Sequence, residues 1–137
     1  MPVASYVKVA GAIYFMVGGA NFGTDQWAIA LTNTIPAGTT FTAGTTDLVT
    51  GGGYTQGGNN VATTSSSEAA GTYKLILVDP AVWTASGGGF TARYAILVNK
   101  TINLNAGYWD YGSSQAVAAG ETFTVDLDNA NGVINIT

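Results

Sequence analysis

Alternation of large apolar residues with small or polar ones is the clearest pattern in the chain. Residues 26–32 carry Trp, Ile and Leu at every second position, and residues 122–127 repeat the pattern with Phe, Val and Leu. A period of two places the large side chains on one face of a β-strand. Residues 73–78 and 92–98 are apolar on both faces, which is typical of central strands that are covered on two sides.

Turn-forming residues separate these runs. Asn131-Gly132 is the strongest hairpin signal, because both central residues of a type I′ turn need a positive φ. It predicts that residues 123–128 pair antiparallel with residues 133–136 at the end of the chain. Residues 108–111, which are aromatic on alternate faces, predict one more extended segment. The predicted breaks are Ile35–Gly38, Gly51–Gly53, Gly57-Gly58, Asp79-Pro80, Gly87–Gly89, Asn105–Gly107, Gly112–Ser114, Ala119-Gly120 and Asn131-Gly132.

The number and spacing of these segments predict one all-β domain over residues 1–137, an antiparallel β-sandwich that is jelly-roll-like. A stretch from about 36 to 68, rich in Thr, Gly, Ser and Asn, is predicted as a loop-rich arm available for contact. Residues 7–17 stay open between a strand, which is slightly favoured, and one short N-terminal helix. Gly11 and the β-branched residues weaken the helix. The apolar run 9–17 also resembles a secretory signal, but a first structural element is preferred.

The composition excludes several classes of function. The chain has 137 residues, no His, no Cys, 9% charged residues and a net charge of −4. Four scattered cations (Lys8, Lys74, Arg93 and Lys100) cannot form the clustered basic surface that nucleic acid or an anionic membrane requires. Without His or Cys, the chain lacks the residues that most acid–base catalysis near neutral pH and most transition-metal sites use. We therefore predict no nucleic-acid partner, no membrane partner, no metal and no cofactor.

A carboxylate pair for glycoside hydrolysis is the only enzyme chemistry that the residues readily permit. The candidate carboxylates each have an ordinary structural explanation in a turn, at a strand start or on an outward face, so we predict no enzyme and no catalytic residue. Residues 126–132 superficially resemble a calcium loop, but the spacing is not that of an EF-hand, and a hairpin whose turn is capped by Asx side chains is favoured. The candidate carboxylates are Asp79, Asp110, Glu121 and Asp126, with Trp83 or Trp109 as a sugar platform.

A surface so poor in charge costs little to desolvate, which favours extensive contact with other proteins. Aromatic residues and Arg carry most of the energy at such interfaces. The alternative for the aromatic residues is core packing, and the alternative for the arginine is a partner among loop carbonyls or Asp110. The interface candidates are Tyr54, Arg93, Tyr94, Tyr108, Trp109 and Tyr111.

The chain resembles small virion proteins of tailed bacteriophages, in the same order of motifs from about residue 24 to the end. The apolar run 9–17 departs from the family, which is more polar there. The motifs that carry the resemblance are Asp25–Thr34, Gly53–Gly58, Trp83–Gly88, Thr91–Leu97, Tyr108–Ser114 and Gly120–Asp126.

The resemblance implies a head decoration, or cement, protein of jelly-roll type. Such a protein binds the outer surface of the capsid and ties neighbouring major capsid subunits together, and members of the group act as homodimers or homotrimers. The implied partners are the major capsid protein and a second copy of the chain. The preferred contacts are the arm, residues 39–64, and the strand end at 108–111. A head-fibre or tail component that binds host carbohydrate, and a secreted carbohydrate-binding module, remain the alternatives.

Overall fold

The computed structural model describes residues 3–9 and 19–137, and every regular element in this part of the chain is a β-strand. All strand pairs are antiparallel, so the predicted single-domain antiparallel β-sandwich is confirmed. Among these residues, no helix is long and apolar enough to cross a membrane. The strands are β1 (Tyr6–Lys8), β2 (Trp27–Thr32), β3 (Asn59–Val61), β4 (Thr63–Ala69), β5 (Thr72–Leu77), β6 (Trp83–Thr84), β7 (Phe90–Asn99), β8 (Leu104–Val117), β9 (Thr122–Phe123) and β10 (Ile134–Ile136).

The strands form three sheets. The large sheet has the order β1-β8-β7-β2-β3, the small sheet has the order β10-β5-β4, and β6 pairs with β9 in a two-stranded sheet. The main core joins residues of all three sheets, which are Trp27, Ile29, Leu31, Leu97, Leu75, Leu77, Trp83 and Phe123 among others. The alternating apolar face that the sequence predicts for residues 26–32 therefore packs inward.

The opposite face of β2 is also buried. Ala28 and Ala30 form a second apolar cluster with Ile96 and Val98 of β7, and Phe41 covers it. Phe41 belongs to the loop between β2 and β3, which folds over the outer face of the large sheet (the face that points away from the main core). The small residues between the large ones in β2 thus make room for a covering loop.

The predicted arm at about 36–68 divides into two parts. Its first part is the covering loop, and its second part forms β3 and most of β4. Asn105 of β8 holds the loop to the sheet, because its Nδ2 donates to the carbonyl oxygens of Gly38 (3.0 Å) and Thr40 (3.1 Å). Gly58 ends the loop with φ +70°, and a Cβ there would overlap the carbonyl of Ile29.

The predicted terminal hairpin is wrong. The strand predicted for residues 123–128 is only Thr122–Phe123 (β9), which pairs with β6, whereas β10 pairs with β5, so the two segments belong to different sheets. Gly132 has φ +85° but Asn131 does not have a positive φ, and the Gly132 N–H donates to the carbonyl of Asp128 at 2.9 Å. This wider turn directs the chain across to the small sheet. The two-residue hairpin turn lies instead at Ala70-Gly71, where both φ angles are positive (51° and 82°).

Two predicted breaks are also wrong, because Asn105–Gly107 and Gly112–Ser114 lie inside β8. Each coincides with a register shift between β7 and β8, so the polar and Gly-rich residues form bulges rather than strand ends. At the N-terminus, residues 6–8 form β1 and pair with β8. The choice between strand and short helix for residues 10–17 lies outside the described residues.

Candidate interaction surface

A large bulge interrupts the pairing of β7 with β8. Ala92 pairs with Gln115 and Tyr94 pairs with Asp110, so Arg93 alone stands opposite residues 111–114. Gly112 has φ +85° inside this segment, a conformation that Gly adopts without strain. Bulges of this kind redirect side chains, and here Arg93 and Asp110 are brought together.

Arg93 and Asp110 form a two-point ion pair. Arg93 Nε donates to Asp110 Oδ1 at 2.8 Å and Arg93 Nη2 donates to Oδ2 at 3.0 Å. The Gly112 N–H also donates to Oδ1 at 2.8 Å, so the bulge itself fixes the carboxylate. The hydrogen bonds from Arg93 and then from Gly112 lower the pKa of Asp110, and the Asp110 carboxylate raises the pKa of Arg93. The structure thus confirms Asp110 as the partner of Arg93.

Two tyrosines extend this pair across the outer face of the large sheet. The Arg93 guanidinium carbon lies 5.0 Å from the centroid of the Tyr94 ring. The Tyr94 and Tyr108 rings meet edge to face, with centroids 5.7 Å apart. Tyr94 is 5% exposed, whereas Tyr108 and Arg93 are half-buried. We call Arg93, Tyr94, Tyr108 and Asp110 the outer patch.

Asn33 connects the β7–β8 bulge to the start of the covering loop. Its Nδ2 donates to the Thr91 carbonyl at 2.8 Å, and its Oδ1 accepts from the Ser114 hydroxyl at 2.6 Å. One exposed side chain therefore links the start of the loop to both strands of the bulge. The sequence gives no local signal for this role, because its partners lie 58 and 81 residues away.

The six predicted interface residues divide between two faces. Arg93, Tyr94 and Tyr108 meet on the outer patch. Trp109 and Tyr111 alternate with Tyr108 and Asp110 along β8, so both point into the main core and each is 9% exposed. There Trp109 packs on Tyr6 and Tyr111 packs on Phe123, with centroids 5.0 and 5.2 Å apart.

Tyr54 is a core residue with 1% exposure. Its hydroxyl donates to the buried Asp47 carboxylate at 2.5 Å and accepts from the Leu31 N–H at 3.1 Å. Asp47 also accepts from the N–H groups of Gly44 and Gly57, both at 2.6 Å. Burial is the main reason why the pKa of Tyr54 is raised. This network fixes the fold of the covering loop, so Tyr54 serves the core.

Three of the four candidate catalytic carboxylates have structural partners, since Asp110 is paired with Arg93 and the other two bind backbone N–H groups. Asp79 accepts from the Leu127 N–H (2.8 Å) and Glu121 accepts from the Ala118 N–H (2.9 Å). Asp128 Oδ1 accepts from the N–H groups of Ala130 and Asn131, and Oδ2 accepts from the Asn131 side-chain amide. The two hydrogen bonds from Asn131 are the main reason why the pKa of Asp128 is lowered. Asp128 caps this turn as predicted, but the turn does not join the two strands of a hairpin. Across residues 3–9 and 19–137, no group of three metal-ligating side chains occurs.

Comparison with known proteins adds no family to this description. No family model, no curated protein and no solved structure matches the chain.

Proposed function

We propose that the protein is a capsid decoration protein of a tailed bacteriophage, which binds the outer surface of the head and stabilises contacts between major capsid subunits. Six motifs between residues 25 and 126 resemble those of small virion proteins, and this resemblance supports the proposal. The same resemblance implies a jelly-roll-like module. The observation that carries the choice of surface is the outer patch, an aromatic and arginine cluster on a chain with few other charges.

The outer patch has the chemistry of a protein-binding hot spot. Tyr and Arg are enriched at such positions, and they bind best when little side-chain entropy is lost on association. Arg93 is already held by Asp110 and stacked on Tyr94, so its side chain is ordered before a partner arrives. Tyr108 offers a half-exposed ring beside it. The patch would therefore take a flat, weakly charged protein surface with an acceptor opposite the free guanidinium edge.

Decoration would stabilise the shell by mass action. A protein that binds the assembled shell and not its separated subunits shifts the equilibrium toward assembly. If copies of the chain are linked to each other, the second copy binds at a high effective concentration, so the apparent affinity of the assembly exceeds that of one contact. The expected location is the outer surface of the virion capsid, and the expected partners are the major capsid protein and the chain itself.

The test is co-sedimentation with phage heads that lack the protein, titrated to saturation. We expect saturation at a fixed, high ratio to the major capsid protein. Arg93→Ala and Tyr108→Ala should each lower the affinity by about tenfold or more, as hot-spot residues do. Lys74→Ala is the matched control, because it removes the same charge from β5 in the small sheet.

Three outcomes would contradict the proposal. Absence of binding to heads, or saturation at only a few copies per head, would overturn decoration. Equal loss in the Arg93→Ala and Lys74→Ala variants would overturn the outer patch as the contact surface. Low copy number together with binding to host glycans would favour the head-fibre or tail component.

A further inference from the structure

β4 is the longest strand at the edge of a sheet in the described part of the chain. It has seven residues, Thr63–Ala69, and it pairs with β5 on one side. The other edge strands are shorter: β1, β3 and β10 have three residues each, and β6 and β9 have two each. A strand edge presents N–H and C=O groups that can pair with another strand.

β4 has few of the features that normally protect such an edge. Natural edge strands are shielded by Pro, by Lys, by bulges or by charged side chains. β4 has one bulge, at Thr64, and then pairs regularly with β5 from Ser65 to Ala69. Glu68 is its only charged residue, and the Glu68 carboxylate accepts from the Gly71 N–H at 2.5 Å. The remaining side chains are small, so a second strand can approach closely.

We propose that β4 pairs antiparallel with β4 of a second copy of the chain, about a twofold axis at Ser67. This interaction joins two small sheets into one six-stranded sheet with the order β10-β5-β4-β4-β5-β10. Each copy contributes the same edge, and pairing occupies it in both, so the assembly closes as a dimer. The proposal does not depend on capsid binding, because β4 lies outside the outer patch.

The register about Ser67 is the one in which polar side chains complement each other. Ser67 faces Ser67 of the second copy, and Ser66 faces Glu68 of the second copy. The Ser66 and Tyr73 hydroxyls lie 2.7 Å apart, so Ser66 can accept from Tyr73 and donate to the facing carboxylate. The two Glu68 residues are diagonal rather than opposite, and each is held back toward its own turn by Gly71. Like charges thus avoid the direct opposition that destabilises cross-strand pairs.

The pairing would be weak for free protein. A ladder of five residues falls below the roughly 1,200 Å² that a stable specific interface usually buries. We therefore expect a monomer–dimer equilibrium that depends on protein concentration. Attachment of two copies to one surface would favour the dimer through effective concentration.

Disulfide trapping tests the register directly, because the chain has no cysteine. Residues directly opposite in an antiparallel pair have Cα atoms about 4.5–5.5 Å apart, and a disulfide accepts about 4.4–6.8 Å. Ser67→Cys should form a covalent dimer under mild oxidation. Ser65→Cys is the matched control on the same strand, because Ser65 would face Ala69. Ser113→Cys, at the exposed β8 bulge, reports random collision.

We expect at least a tenfold higher rate of dimer formation for Ser67→Cys than for the two controls. Equal rates for the three variants would overturn the proposal. The second measurement is sedimentation equilibrium of the wild type, Ser67→Lys and Ser113→Lys. Ser67→Lys places two ammonium groups opposite each other and should abolish the concentration-dependent dimer, whereas Ser113→Lys should retain it. A wild type that stays monomeric at every concentration, or a Ser67→Lys variant that still dimerises, would also overturn the pairing.

Discussion

The β7–β8 ladder and the β4–β5 hairpin are both antiparallel pairs, yet they are stabilised in different ways. Residues 94–99 of β7 are buried on both faces, with the main core on one side and the covering loop on the other. β4 is largely exposed, and β5 buries only Leu75 and Leu77. The first pair depends on burial of apolar surface and the second on its turn and one half-buried face. We infer that the β7–β8 pair sets the stability of the domain, while the β4–β5 pair leaves the edge of β4 available for pairing with another strand.

The largest difference should appear when side chains are truncated. Leu97 of β7 is completely buried, so Leu97→Ala should lower the free energy of unfolding by about 2–5 kcal/mol through lost burial and a cavity. Ser67→Ala in β4 should change it by less than about 0.5 kcal/mol, as exposed substitutions do. Urea denaturation followed by tryptophan fluorescence measures both. A Ser67→Ala effect as large as that of Leu97→Ala would contradict the distinction between the two pairs.

Alkaline pH should affect the two pairs unequally through their tyrosines. Burial, with a smaller contribution from the Asp126 carboxylate, raises the pKa of Tyr111 in β8 to about 12. Burial also raises the pKa of Tyr73 in β5, and the hydrogen bond between Tyr73 and Ser66 opposes this shift. A raised pKa in the folded state gives stability that is complete below the unfolded value of about 10 and is lost as pH rises through the folded value. Stability should therefore decline from pH 10 to pH 12.

The variants Tyr111→Phe and Tyr73→Phe separate the two contributions. Tyr111→Phe should reduce the alkaline decline more than Tyr73→Phe does, in urea titrations at a series of pH values. Tyrosinate absorbance on the same samples reports when the hydroxyls ionise. If Tyr73→Phe had the greater effect, the difference in burial between the pairs would not control the decline.

A substitution in the hairpin turn between β4 and β5 should stabilise the protein. Ala70 has φ 51°, a left-handed conformation that costs a non-Gly residue about 1 kcal/mol or more. Ala70→Gly should raise the free energy of unfolding by up to about 1 kcal/mol, since a type I′ turn requires positive φ at this position. Gly71→Ala is the control in the opposite direction, because Gly71 has φ 82°. Loss of stability in Ala70→Gly would contradict the conclusion that the left-handed conformation of Ala70 costs free energy in the folded state.

The smallest predicted effect is on the pKa of two aspartates, each close to one cation, Arg93 of the β7–β8 pair or Lys74 of the β4–β5 pair. Arg93 is the largest cause of the lowered pKa of Asp110, whereas Lys74 is the last of several causes for Asp128. Arg93→Gln should therefore raise the pKa of Asp110 more than Lys74→Gln raises that of Asp128, as measured by NMR titration. Because the pKa of Asp110 is lowered in the folded state, its contribution is present above the unfolded value and is lost as pH falls through the folded one. Equal changes in the two pKa values would contradict the two-point geometry at the bulge.

Local alternation predicted the strands well where one residue type dominates a face. The alternating run at 26–32 is β2, and the runs at 73–78 and 92–98, which are apolar on both faces, are β5 and β7. The alternating run at 122–127 forms a strand only at Thr122–Phe123. Turn residues were less informative. Asn131-Gly132 is not a hairpin, and Ala70-Gly71 is one, because the partner of a strand depends on long-range packing that can override local turn preferences.

The outer patch was only partly predictable. The sequence indicates that Arg93 and Asp110 can pair and that Tyr108 and Trp109 point to opposite faces. Which face is the core follows from the second sheet and from the covering loop, and neither is encoded near β8. Asn33 joins Ser114 across 81 residues, and no local pattern indicates such a bond.

The amino-acid sequence by itself determined that this protein is an all-β domain poor in charge, because strand periodicity and composition are local properties of the chain. Only the tertiary structure decided which residues are exposed. Burial depends on which surfaces meet, so Tyr54, Trp109 and Tyr111 lie in the core while Arg93 and Tyr108 lie on the outer patch. The same packing placed β4 at the edge of the small sheet formed by the described residues, and this edge is the basis of the proposed pairing.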